Sequence, residues 1–168
     1  MADATLTSMT DIATIAGTEL IYVDNGSADR KTTVNEILAY RKTQDLDMLE
    51  FVCDGGGSAL TAKTYGFIEV PYGCTLKQVT ALADVSGSCV VEIWKTTYSA
   101  FDISTHPVTG DKLNGAGTAT TISTAVKAQD ATLTSWTTSF SAGDILAFHI
   151  NSATTITRVT VSLKVQRT

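Results

Sequence analysis

Val159, Val161, Leu163 and Val165 alternate with Arg158, Thr160, Ser162, Lys164 and Gln166. A period of two held over that length predicts a β-strand with one buried and one polar face. The same alternation recurs upstream. Cys89, Val91 and Ile93 oppose Val90, Glu92 and Trp94. In 145–151, Leu146, Phe148 and Ile150 face in while His149 points out. A strand over 65–70 ends at Pro71, and one over 74–83 changes frame between Leu76 and Val79, the signature of a bulge. "DVSGS", "SAGD" and "NSAT" read as turns, and further strands are predicted over 118–125 and 131–140. Residues 97–117 have no period, one Pro and three Gly, and are predicted to form a long excursion. Residues 46–53 are apolar on most of both faces, which fits a sandwich strand or an interface strand, and Gly55–Gly57 then free the chain to turn. About eight antiparallel strands with one side polar must cover one another, so the fold class is mainly β. The expected topology is a jelly-roll-like sandwich of two four-stranded sheets. An immunoglobulin-like sandwich ranks second, because the Cys–Trp–Cys spacing is missing.

The first 45 residues follow another pattern. Leu6, Met9, Ile12 and Ile15 recur every three residues, which suits one or two helical turns laid on a surface. Strands are predicted over 20–24 and 30–33 around the turn "NGSAD". Thr33 and Glu36 form a capping box that opens a helix over 34–42. Leu20 and Tyr22 lie on the hairpin, and Val34, Ile37 and Leu38 share a helix face. A short helix and a two-stranded hairpin are each marginal alone. The chain therefore divides into an attachment or oligomerisation segment, 1–45, and a sandwich, 46–168. The interface candidates of the first are Leu6, Met9, Ile12, Ile15, Leu20, Tyr22, Val34, Ile37 and Leu38.

Composition narrows the function. Charged residues make up 17% of the chain and the formal net charge is −5, with twelve scattered Lys and Arg. That balance argues against a nucleic-acid surface. No stretch approaches the length of an apolar membrane span, so no membrane insertion is expected. The opening "MADATLTSMTDIATIAG" lacks the basic and apolar regions of a signal peptide, which implies synthesis in a reducing cytoplasm. Cys53, Cys74 and Cys89 match no metal spacing. Buried thiols are the plain reading, and a Cys53–Cys74 or Cys74–Cys89 bridge is the alternative.

Catalytic signals are sparse. His106 and His149 have no partner at ligand spacing, no GxSxG elbow occurs, and "GGGSAL" lacks the rest of a phosphate loop. The acids sit mostly in turns, where their ordinary task is turn chemistry. No enzymatic activity and no cofactor are expected. The residues most suited to touching a ligand or partner are Trp94, Tyr98, Phe101 and His106. Trp94 lies either on the second face of its strand or under the excursion, in a packing or a binding role.

Two regions resemble known proteins. In "LTSMTDIATIAGTELIYVDNGSADRKTTVNEILAY", Leu20, Tyr22, Val23, Asn25, Gly26, Lys31, Thr33 and Leu38 fall on the pattern of the N-terminal attachment units of tailed-bacteriophage tail fibres and related appendages. "GFIEVPYGCTLKQVTALADVSGSCVVEIWKTTY" and "LTSWTTSFSAGDILAFHINSATTITRVTVSLKVQRT" resemble a β-sandwich module of phage virion proteins. No coiled-coil or β-helical shaft joins the two regions. The resemblance implies a non-enzymatic virion component, homotrimeric, docked on other virion proteins through its N-terminal segment. A short tail fibre or adhesin would meet host-surface glycan or protein. A capsid decoration protein is the alternative, followed by a free carbohydrate-binding module and a hydrolase on the same fold.

Overall fold

The computed structural model describes residues 20–24 and 29–168; side-chain detail covers Thr33–Tyr40 and 45–168. The chain divides into two units after Gln44. In the first, β1 (Leu20–Asp24) pairs antiparallel with β2 (Asp29–Thr33) from Leu20↔Thr33 to Asp24↔Asp29. Helix α1 follows at once, Val34–Gln44. Its start is the expected capping box: the Thr33 N–H donates to Glu36 Oε2 (2.7 Å) and the Glu36 N–H to Thr33 Oγ1 (3.1 Å).

The second unit is antiparallel β. Its strands are β3 (Leu46–Asp54), β4 (Lys63–Glu69), β5 (Cys74–Thr97), β6 (Thr120–Asp130), β7 (Ser139–Phe140), β8 (Asp144–Thr154) and β9 (Arg158–Arg167). They form one seven-stranded sheet in the order β3-β9-β5-β8-β4, with β6 and β7 also on β5. It is a jelly-roll-like sandwich made by curling a single sheet. β5 is the reason. Its first half, through Ala83, pairs with β9, and its second half, from Ser88, pairs with β8. β6 follows it round the bend, from Asp130 opposite Val79 to Thr120 opposite Val91. The layers meet where Phe51 of β3 stacks on Phe148 of β8, ring centroids 4.8 Å apart. Gly66 of β4 leaves room for this: a Cβ there would run into the Phe51 ring.

One predicted turn and one predicted strand are corrected. "DVSGS" is a bend inside β5, marked by register shifts between Leu82 and Gly87 and between Gly87 and Cys89. Gly87 is required there, because any side chain would meet the Thr154 carbonyl. The Asp84 carboxylate clamps the bend, accepting the N–H groups of Thr157 (3.2 Å) and Arg158 (3.1 Å) and the Thr157 hydroxyl. The predicted strand over 131–140 is mostly irregular. Asp130 Oδ1 accepts from the N–H groups of Thr132 (2.9 Å) and Leu133 (3.0 Å), which ends β6, and pairing resumes only at Ser139.

The core lies between the layers. Val159, Val161, Leu163 and Val165 of β9 are fully buried with Val79, Val91, Ile93, Leu146, Phe148 and Ile150. Cys53, Cys74 and Cys89 are free, buried thiols. Burial pushes the Cys53 thiol up to about 12 and Cys89 up to about 11, so both favour the protonated thiol over the nucleophilic thiolate.

A polar staple ties β9 to β3. Asp47 Oδ2 accepts from the Arg167 guanidinium (2.8 Å) and the Tyr72 hydroxyl (2.5 Å), while Asp47 Oδ1 accepts the Met48 N–H (2.8 Å). Arg167 also lies over the Tyr72 ring. These bonds, the Arg167 one foremost, lower the Asp47 pKa from 3.8 to about 2. A carboxylate depressed on folding contributes stability above its unfolded value and loses it as pH falls through its folded value. Stability should therefore drop between pH 3.8 and about pH 2. Thermal melts across that window should show a shallower acid slope for Asp47→Asn than for the parent, with the two curves parallel at neutral pH.

Candidate functional site

The excursion that leaves β5 at Thr97 is a built structure. Tyr98–Ala100 make one 3-10 turn, capped by Thr97 Oγ1, which accepts the Ala100 N–H. Asp102 organises the next turn: its carboxylate accepts the Ser104 N–H (2.9 Å) and hydroxyl (2.7 Å), and its carbonyl accepts from Thr105 and His106. Those bonds to Ser104 hold the Asp102 carboxyl below its usual range. His106 Nδ1 lies 3.1 Å from Asp111 Oδ2, the same oxygen that accepts the Val108 N–H (2.8 Å). The chain then returns to β5. Lys112 bridges Trp94, and the Leu113 N–H donates to the Ile93 carbonyl at 2.7 Å.

Beneath the excursion lies the outer face of the β4–β8–β5 layer. Register places Thr64, His149 and Glu92 in one row across it, and Phe67, Ala147 and Trp94 in another. Phe101 packs edge-to-face on Phe67, centroids 5.1 Å apart at 81°. Trp94 stacks on the His149 ring at 4.0 Å, and its indole N–H donates to Glu92 Oε2 at 3.1 Å. Thr64 Oγ1 meets His149 Nδ1 at 3.1 Å. Burial lowers the His149 pKa, and the Glu92 charge opposes that shift.

The four candidate contact residues thus fall into different places. Trp94 is buried: it is on the second face, and its ring packs on His149. Phe101 is anchored by one edge and partly open. Tyr98 is 75% exposed, and His106 is tied to Asp111 at the loop's base. Ile103, 82% exposed, and Val108 complete the displayed apolar group, and sequence reasoning passed over both. The available signal was an isoleucine and a valine in a segment with no period to bury them. A hydrogen-bonded loop presenting Tyr98, Phe101, Ile103 and Val108 can make apolar and stacking contacts with a partner surface. No group of three or more His, Cys, Asp or Glu among the described residues could hold a metal.

Of the N-terminal candidates, Leu6, Met9, Ile12 and Ile15 lie outside the described residues, as do the side chains of Leu20 and Tyr22 on β1. Val34 is half-buried, while Ile37 and Leu38 of α1 are exposed.

No protein-family model matches the chain, and no curated protein matches it. Among solved structures, RmlC from Streptococcus suis in complex with dTDP-D-xylose is similar over 89% of this chain at 10% identity, with a TM-score of 0.24. The match covers 62% of that chain, so this one spans less than two thirds of its length.

Proposed function

We propose that the chain is a structural component of a bacteriophage virion, of the short tail-fibre or adhesin type. Its N-terminal unit docks on the particle, and its sandwich carries the excursion outward to meet the host surface. The observation that supports this most is the contrast between the two units. The sandwich has its own closed core. The other unit offers a β-hairpin of two five-residue strands and an eleven-residue helix whose Ile37 and Leu38 are exposed. Hairpins and helices of that size gain too little alone to offset ordering, and apolar side chains on such a helix are the kind that another surface covers. The phage-appendage resemblance of residues 6–40 gives that surface an identity: another virion protein. Tyr98 and Ile103, exposed on the hydrogen-bonded excursion, are suited to the host-facing contact.

The experiment is localisation on purified particles of the phage that encodes the chain. Full-length protein should co-purify with virions and be labelled at the tail by a specific antibody. The variant lacking residues 1–44 should remain folded and be absent from particles. Particles without the full-length chain, or equal incorporation of the truncated one, would refute the reading. Copy number matching the major capsid protein would place it on the head and favour decoration instead.

A further inference from the structure

Three buried polar atoms find no hydrogen-bond partner among the described residues: Asn114 Oδ1, the Thr120 hydroxyl and the Trp136 indole N–H. Their residues are 3%, 3% and 8% exposed. The chain path gathers them. The Leu113 N–H donates to the Ile93 carbonyl, and Thr120 lies opposite Val91, two residues from Ile93 on β5. Residues 114–119 therefore form a loop whose two ends meet at one edge of β5. Asn114 ties this loop shut. Its Nδ2 donates to the Gly117 carbonyl (2.9 Å), and its own carbonyl accepts the Gly117 N–H (2.6 Å). The 131–138 segment lies against the same neck. The Thr137 N–H donates to the Leu113 carbonyl at 2.7 Å, and a Cβ on Gly117 would run into the Thr134 carbonyl. Trp136, next to Thr137, joins the core cluster with Leu113 and Ile122. Thr120 shares the core-facing side of the sheet with Val91, its register partner.

A buried polar group without a partner is costly and uncommon, and three at one neck ask for a common answer. The indole N–H only donates, the amide oxygen only accepts, and the hydroxyl does either. We propose that the neck of the 114–119 loop is a binding site for one internal water molecule. That molecule accepts from the Trp136 indole, donates to Asn114 Oδ1 and hydrogen-bonds the Thr120 hydroxyl. Water suits the site because a buried water makes about three hydrogen bonds to groups of this kind. All three atoms are also sealed from bulk solvent, which disfavours any larger polar ligand. A direct bond between Trp136 and Asn114 would leave the Thr120 hydroxyl unanswered, whereas water answers all three. The bridge joins the returning end of the excursion, the start of β6 and the 131–138 segment. It belongs to the sandwich unit alone and is independent of what that unit displays.

Water-selective NOE and ROE spectra of the ¹⁵N-labelled full chain test this. The chain has two tryptophans, so two indole N–H signals appear, and Trp136→Phe assigns them. The Trp136 indole proton should show a water cross-peak with the sign of a long-lived complex. The Trp94 indole proton, given to Glu92, is the reference. The cross-peak should persist in Thr120→Val, which deletes the hydroxyl proton as a relay and leaves the water two partners. A Trp136 cross-peak no stronger than that of Trp94, or one that vanishes in Thr120→Val, would overturn the site. Thermal melts read the bridge independently. Thr120→Val and Trp136→Phe should each lower Tm, and the double variant by less than the sum of the two shifts, because both groups hold one molecule. Additive shifts would mean that the two groups are satisfied separately and would overturn the shared water.

Discussion

Val161→Asp is expected to abolish cooperative folding of the sandwich. Val161 is fully buried and lies in register between Phe51 and Ala81, both on the core side. Phe51 in turn stacks on Phe148 across the layers, so the new carboxylate would enter the driest part of the molecule. No cation faces it there: Lys164 is on the opposite side of the same strand, and Lys95 already donates to Asp144 at 3.1 Å. An unpaired charge in such a place costs several kcal/mol even after relaxation, and escaping through protonation at neutral pH costs a comparable amount. Domains of this kind are stable by only about 5–15 kcal/mol, and the lost valine contacts add to the deficit. The comparison is Thr160→Asp, one residue earlier on the outer face, where the change should stay within about 1 kcal/mol. Circular dichroism melts would decide the matter. A sharp transition near the parent's temperature for Val161→Asp would overturn the inward assignment of β9, and with it the register of β3 and β5.

β9 was legible because its alternation is uninterrupted and its polar face is Thr, Ser and Lys. β5 was not legible as one strand. Asp84, Ser86, Gly87 and Ser88 have the composition of a turn, and nothing local says that the chain bends and continues while its partner changes from β9 to β8. The error over 131–138 had the opposite source. Thr132, Leu133, Thr134, Trp136 and Thr137 are strand formers, yet one acceptor, the Asp130 carboxylate, diverts the backbone first. β3 read as apolar on both sides, and only the register separates Phe51 and Cys53 in the core from Met48 and Val52 outside. The excursion was visible as an interval without period. Its floor was only partly visible: alternation puts Glu92 and Trp94 on one face, but His149 joins them only through the pairing of β5 with β8, which no spacing within either strand reveals.

That floor carries the second large effect. Trp94→Ala is expected to destabilise the sandwich by about 3–5 kcal/mol and to loosen the excursion more than the rest of the fold. The indole does three things at once. It fills the space between the β4–β8–β5 face and the returning chain at Lys112, it stacks on His149, and it donates to Glu92. Glu92 is only 7% exposed, and the indole N–H is the hydrogen bond that ties its carboxylate to this strand's aromatic row. Removing the donor leaves a buried carboxylate to be resolvated or protonated, at a cost of about 1–3 kcal/mol beyond the cavity. Trp94→Phe separates the two contributions, since it keeps a ring against His149 and deletes only the N–H. It should lose roughly a third to a half of what Trp94→Ala loses, as the cavity and the hydrogen bond divide the cost. Amide hydrogen exchange gives the spatial reading. In Trp94→Ala the N–H of Leu113, bonded to Ile93, should lose protection first, while the β9 amides keep theirs up to global unfolding. Uniform loss of protection across both layers would mean that Trp94 supports the whole core, and that the excursion has no separate anchor on which to hold Tyr98 and Ile103 toward a partner.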